Sequence, residues 1–267
     1  MTQFIVTKEH RRFTEFADVV RKQHTIGICY GPAGVGKTVS ARRYAHWDQI
    51  EPLITTWGPR EDSDARIYAT AARTRTAFYT PGVLTTARLL RDELDQTTAR
   101  VGICIEQDHD TPRQIHTTPF SFSLLVDLLI IDEAERLNAT ALELVRDRYD
   151  RDGMAVILIG MPGIDKRFSH YPQLYSRLGF AHEYRPLGHD ELLFVLTRHW
   201  KRLGQHLDPD DFTDAQAIAA IGRITRGNFR LLERLFPQIQ RVLKINDLTT
   251  ITNDVVEAAA STLVIGT

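Results

Sequence analysis

Cysteine is almost missing from this chain: Cys29 and Cys104 are the only two among 267 residues. Two cysteines, one inside an apolar run and neither in a metal-ligand spacing, build no disulfide framework and no zinc site. An excess of either charge is missing too, with 33 basic residues against 34 acidic ones. Nothing global therefore calls for nucleic acid or a membrane surface, and any polyanion site has to be local. No apolar run approaches the roughly 20 residues that cross a bilayer, and Met1 to Glu9 holds no charged leader followed by an apolar block. These absences predict no signal peptide, no membrane helix and a reducing cytoplasm. Internal repeats and low-complexity tracts are lacking as well, which excludes a solenoid. The length suits one large or two modest domains, and two unequal domains are expected.

Against that background stands Gly31-Pro32-Ala33-Gly34-Val35-Gly36-Lys37-Thr38, which fits G-x-x-x-x-G-K-[ST] at every fixed position. The apolar run Ile26 to Tyr30 precedes it and a helical pattern, Val39 to His46, follows. That is the context of a phosphate-binding P-loop. Its glycines let successive N–H groups turn inward, and the positive end of the next helix adds to the anion field. Lys37 is expected to reach the β and γ phosphates of ATP, and Thr38 to ligate Mg²⁺. A second landmark is Leu128-Leu129-Ile130-Ile131-Asp132-Glu133, four apolar residues that end in two carboxylates. A central parallel strand delivers acids in this way to the edge where α/β sheets bind ligands. Asp132 is expected to hold Mg²⁺, directly or through water, and Glu133 to orient and deprotonate the attacking water. No Asn-Lys-x-Asp or Thr-Lys-x-Asp motif occurs to read guanine, and the Asp-Glu strand end argues against a small-molecule kinase.

Lys8 to His24 places Phe13, Phe16, Ala17 and Val20 on one helical face behind a Thr7 N-cap, with Lys8, Arg11, Arg12, Arg21 and Lys22 mostly on a solvated side. Asp48 to Arg75 yields no element. A short strand at Ala77 to Thr80 leads through Pro81-Gly82 to a helix from Thr85 to Leu94. Gln96 to Phe120 is hard to read, apart from a short strand at Val101 to Ile105. Asn138 caps a helix to about Arg151, on which Arg146, Arg148 and Arg151 alternate with acids as a salt-laced surface. Strands at Met154 to Gly160 and Phe180 to Tyr184 complete a parallel sheet. Pro186 marks a boundary, giving domains 1–186 and 187–267. The second domain reads as helices at His189 to Arg202, Thr213 to Arg226 opened by a capping box, Asn228 to Lys244 and Asp254 to Leu263.

This order of P-loop, Asp-Glu strand end, further strand and helical C-terminal domain resembles the AAA+ ATPases over nearly the whole chain. The resemblance implies an α/β P-loop NTPase fold, a parallel sheet core with a small helical lid. It also implies a sensor 2 role for Arg230 in Gly227-Asn228-Phe229-Arg230, contacting the γ-phosphate, and an arginine-finger role in a neighbouring subunit for Arg177. A guanidinium suits both tasks because it is planar, permanently charged and binds two oxygens. A helix-surface arginine and a structural ion pair are the plainer alternatives for Arg230 and Arg177. One departure is visible: the sensor 1 position, at the end of the strand before Arg177, offers Gly160-Met161-Pro162 and no Asn, Thr or Ser. Slow intrinsic hydrolysis follows unless water is oriented from elsewhere.

Within that group, Leu158-Ile159-Gly160-Met161-Pro162-Gly163 running into Tyr171-Pro172-Gln173-Leu174-Tyr175-Ser176-Arg177 is similar to transposition regulators of the MuB, TniB and TnsC kind. So are Glu9-His10-Arg11-Arg12-Phe13 and Gly227 to Leu232. The resemblance implies a homo-oligomeric ring or helical filament on double-stranded DNA. ATP would favour assembly, hydrolysis would release it, and a transposase and a target-selection protein would be its partners. Contacts would fall on phosphates, with Arg88, Arg91, Arg100 and Arg113 as candidates, steep salt dependence and little sequence preference. The alternatives are an AAA+ ATPase acting on a protein, such as a helicase loader or a secretion or signalling ATPase, and a nucleotide-binding scaffold. Glu133 beside Asp132 argues against the scaffold, and the missing polar sensor 1 residue argues for it.

Overall fold

A computed structural model of the chain describes residues 4–56, 58, 61–108, 110 and 119–263. Five strands form one parallel sheet: β1 (Ile26–Tyr30), β2 (Thr76–Tyr79), β3 (Leu128–Ile131), β4 (Ala155–Gly160) and β5 (Leu178–Glu183), in the order β2-β3-β4-β1-β5. Parallel strands need crossovers, and helices supply them. The helices are α1 (Lys8–Lys22), α2 (Lys37–Tyr44), α3 (Trp47–Thr55), α4 (Ala65–Thr74), α5 (Ala87–Glu106), α6 (Pro119–Ser123), α7 (Ala139–Asp152), α8 (Ile164–Phe168) and α9 (Pro172–Tyr175). They continue as α10 (His189–Arg202), α11 (Phe212–Thr225), α12 (Phe229–Ile245) and α13 (Asn253–Ala260). Strands β3 and β4 are buried along their full length, as their unbroken apolar runs require, whereas the edge strand β5 alternates in exposure.

The chain divides into two compact units. The α/β unit holds Arg12–Gly31 and Lys37–Tyr184; the helical unit holds residues 4–11, Pro32–Gly36 and 185–263. A boundary at 186 therefore does not describe the chain completely. Ile5 lies in the helical core with Trp200, Leu232 and Ile251, Glu191 accepts from Lys8 N at 2.7 Å, and Glu9 accepts from Arg185 N at 3.2 Å.

Several local expectations change. The unread stretch after Asp48 contains α3 and α4. The strand expected at Val101 to Ile105 is the second half of α5: Leu90, Leu94, Thr98, Val101 and Ile105 recur at helical spacing on its buried side. Its β-branched residues suit a strand locally, but packing of α5 against α4, α6 and α7 decides for helix. Arg148 is not on a salt-laced surface. It is buried, bonding Asp95 at 2.6 Å and Thr98 at 2.7 Å, with Asp152 at 3.3 Å. Arg21 is not simply solvated either, because it shares Asp127 with Arg75 at 2.6 and 3.0 Å and so pins the start of β3. In the helical unit, Asp211 rather than Thr213 caps α11, accepting from Thr213 N and Asp214 N. Asp214 is turned inward, where it accepts from Trp200 Nε1 and Asp208 N. The caps at Thr7 and Asn138 form as expected, accepting from His10 N at 3.1 Å and Ala141 N at 2.9 Å. Among the described residues no helix is long and apolar enough to cross a membrane.

Candidate nucleotide-binding site

In the α/β unit, the C-terminal ends of β1 and β3 carry the chemistry. Gly31 follows β1 directly. A Cβ there would overlap the Tyr184 carbonyl, and Tyr184 is itself held by Tyr30 O at 2.7 Å and by Ser40 at 2.8 Å, so only glycine fits. Lys37, in the first turn of α2, donates its ammonium to Gly31 O at 2.5 Å. Thr38 Oγ1 donates to Asp132 Oδ2 at 2.6 Å, which brings the P-loop hydroxyl and the β3 carboxylate together across 94 positions of sequence. Asp132 Oδ1 accepts from Glu133 N at 2.9 Å, fixing the carboxylate plane.

Burial pushes the Lys37 ammonium below the usual lysine value, against the opposing fields of Cys29, Asp132, Glu135 and Glu133. Burial likewise raises the Asp132 carboxyl above its ordinary value, although the Thr38 and Glu133 hydrogen bonds work the other way. Each charge thus lacks water, and a polyphosphate carrying a divalent cation supplies what both need. Two hard oxygens, Thr38 Oγ1 and Asp132 Oδ2, fit Mg²⁺, which is normally bound by one or two protein oxygens together with phosphate oxygens and waters. Among the described residues no group of three or more His, Cys, Asp or Glu side chains could cage a metal unaided.

Glu133 has a left-handed backbone at φ 50°, a conformation that costs a non-glycine residue energy and is often found where function demands it. Its side chain is 43% exposed and lies 3.7 Å from Arg136, which in turn donates to Pro81 O at 2.8 Å. A carboxylate so placed is open to solvent and to a water nucleophile.

The inner residues of the loop, Pro32–Gly36, cluster with the helical unit, and there α12 meets them. Asn228 Nδ2 donates to Ala33 O at 2.7 Å, and Arg230 N donates to Gly34 O at 2.9 Å. Asn228 Oδ1 also caps α12, accepting from Leu231 N at 3.3 Å, so one amide both donates and accepts, which an ionised carboxylate cannot do. Gly34 has φ 80°, and a Cβ there would lie 2.6 Å from Asn228 Oδ1. The backbone of Arg230 is therefore fixed at the phosphate loop, and its side chain is exposed.

The other sequence candidates are dispersed. Arg177 pairs with Asp150 at 2.5 Å and donates to Gln173 O at 2.5 Å, which is the structural ion pair of the plainer alternative. Arg88 and Arg91 are exposed on α5. Arg100 is turned onto Ile54 O at 2.6 Å and so is occupied within the fold, while Arg113 lies outside the described residues. Sequence reasoning missed two groups. Asn228 was visible as the start of a helix and as part of a family phrase, but not as a partner of the phosphate loop. Glu135, whose buried Oε2 lies against Gly160, carried no signal beyond its place after the Asp-Glu pair.

Residues 20–168 match the family described as AAA domain. The whole chain is similar to a Staphylococcus aureus protein described as a potential ATP-binding protein, 43% identical over 98% of this chain and 97% of that one. Among solved structures, the Thermotoga maritima RuvB Holliday junction branch migration motor matches 97% of this chain and 70% of its own, with a TM-score of 0.58 at 19% identity. Cdc6p from Pyrobaculum aerophilum matches all of this chain and 71% of its own, with a TM-score of 0.58 at 13% identity.

Proposed function

The chain belongs to the AAA domain family, and on that footing we propose that it is an ATP-hydrolysing switch that assembles on double-stranded DNA and regulates a transposase. The observation that carries the ATPase half is the convergence of Lys37, Thr38 and Asp132 on one sheet edge, with Glu133 beside them. Lys37 binds and neutralises the β and γ phosphates. Thr38 and Asp132 would hold Mg²⁺, which when bound draws charge from the phosphate oxygens. Glu133 accepts a proton from the attacking water, a role supported by its place next to Asp132 and by its exposure to solvent. Arg230, held to the loop by its own N–H, answers to nucleotide in the helical unit.

The DNA half is supported by the phrases from Leu158 to Gly163 and Tyr171 to Arg177, and by a fold shared with a branch migration motor. Arg88 and Arg91 are the DNA-contacting candidates left exposed, and Arg177 acts in trans once a neighbouring subunit draws it from Asp150. An ATPase that acts on a protein partner is the second reading. It is favoured by Val83 and Leu84, 80% and 89% exposed in the turn after β2, where an apolar tip suits a protein surface better than phosphates.

Binding to random-sequence duplex DNA, measured by anisotropy and sizing with no nucleotide, ADP or a slowly hydrolysed ATP analogue, separates these. Large complexes that need the ATP analogue and weaken steeply with salt are expected. Tight nucleotide binding with no DNA complex in any state would transfer the function to a protein partner.

A further inference from the structure

β4 ends at Gly160, beside β1 in the sheet and at the level of the phosphate site: Gly31 N donates to Gly160 O, and Lys37 donates to Gly31 O. The strand provides no polar side chain of its own at this end, which reads Gly160-Met161-Pro162. Another segment provides one. A Cβ on Gly160 would lie 2.8 Å from Glu135 Oε2, so the missing side chain is what admits the carboxylate. Among the described residues Glu135 Oε2 is buried without a hydrogen-bond partner. An orphaned buried carboxylate oxygen is costly, and folds keep such groups chiefly where function uses them.

The group is also held still. Arg167, from α8, donates to Glu135 O at 2.7 Å and to Leu137 O, so the backbone that presents the carboxylate is clamped from both sides. Its field reaches Lys37, as do those of Asp132 and Glu133. Glu133, by contrast, is half exposed and turned toward Arg136.

We infer that Glu135 orients the attacking water at the end of β4, supplying from the loop after β3 the contact that Gly160 cannot make. The inference rests on the ATPase reading above. In the step, the water oxygen bonds to the γ-phosphorus as the bond from that phosphorus to the β–γ bridging oxygen breaks. ADP leaves with that electron pair. One water proton passes to Glu133 and then to solvent, and the other O–H is held by Glu135, which accepts the hydrogen bond and does not change protonation.

The test compares Glu135→Ala and Glu135→Gln with wild type for steady-state turnover, ATP-analogue affinity and the thermal midpoint of nucleotide-free protein. Glu135→Ala should lower kcat by about 10- to 100-fold, the scale of a misplaced reactant, with KM and analogue affinity within about twofold. Its thermal midpoint should rise, because a buried carboxylate oxygen without a hydrogen-bond partner is gone. Glu135→Gln, which keeps an acceptor oxygen and the shape, should retain more activity than Glu135→Ala. Gly160→Ala should slow wild type by displacing the carboxylate yet add little to Glu135→Ala, since coupled residues are not additive. Wild-type turnover with kcat in Glu135→Ala within twofold of it overturns the inference alone. So does a lower thermal midpoint with unchanged turnover per folded molecule, the mark of a structural acid. Absence of turnover in wild type overturns the ATPase reading and the inference together.

Discussion

Replacing Gly34 by alanine tests whether the helical unit sets the geometry of the phosphate loop. Two effects add at this position. The backbone sits at φ 80°, where an L side chain costs about 1–2 kcal/mol. The new Cβ would then lie 2.6 Å from Asn228 Oδ1 and 2.9 Å from Arg230 Cβ, closer than real Cβ contacts come. Relief requires α12 to withdraw, which breaks the bonds from Asn228 Nδ2 to Ala33 O and from Arg230 N to Gly34 O. At about 0.5–1.5 kcal/mol net for each bond, the total loss is about 2–5 kcal/mol. Gly153 provides the control. It has φ 65° at the end of α7, and an added Cβ would meet nothing within 4 Å, so Gly153→Ala carries the backbone cost alone, about 1–2 kcal/mol. Calorimetric titration with an ATP analogue should show at least a tenfold loss of affinity in Gly34→Ala and less than a twofold change in Gly153→Ala. Urea unfolding should show the larger destabilisation in Gly34→Ala. Equal destabilisation in both variants, with nucleotide affinity unchanged in Gly34→Ala, would refute the argument.

Lys37→Ala should abolish nucleotide binding by removing the buried ammonium, and near wild-type affinity in a fluorescent-nucleotide titration would dismiss the P-loop assignment. Glu133→Gln should bind ATP and trap the assembled form with kcat reduced about 10²-fold or more, as read by phosphate release; unchanged turnover would remove Glu133 as the base. Arg177→Ala should change stability little, because its pair with Asp150 is exposed, yet lose hydrolysis that mixing with Lys37→Ala subunits partly restores. No recovery in a mixed assembly of normal size would rule out action in trans. His199, stacked on Phe236 at 3.9 Å, has its pKa lowered to about 4 by burial and by Arg202. Folding favours its neutral form, so stability is complete above pH 6.5 and falls as the pH drops toward about 4, by about 2 kcal/mol once the Glu233 carboxylate at 3.7 Å is allowed for. His199→Phe should flatten that limb of an unfolding-versus-pH curve, and an unchanged slope would assign it elsewhere.

Legibility followed the range of the interaction. The phosphate loop, the acids after β3 and the caps at Thr7 and Asn138 each rest on groups a few residues apart, so their chemistry leaves a short pattern. β3 and β4 were readable because a strand buried on both faces needs an unbroken apolar run. The second half of α5 was not, since Val101, Ile103 and Ile105 favour strand and only its packing partners overrule them. α3 was hidden by Pro52 inside it and by a left-handed His46 at its start. Arg148 shows the same limit in electrostatics. An Arg with acids around it reads alike on a surface or in a core, and only the approach of Asp95 and Thr98 from α5 tells which.

What the sequence determined alone was the chemistry of the site: a loop able to hold phosphates, an ammonium, a hydroxyl and two acids, each required by local backbone geometry or by residue type. Tertiary structure decided which of these groups meet. Thr38 reaches Asp132 across 94 positions and Asn228 reaches Ala33 across 195. Glu135 finds the bare end of β4 because the sheet sets β3 beside β4. Strand order and side-chain burial come from packing the whole chain at once, and no short stretch of residues contains that information.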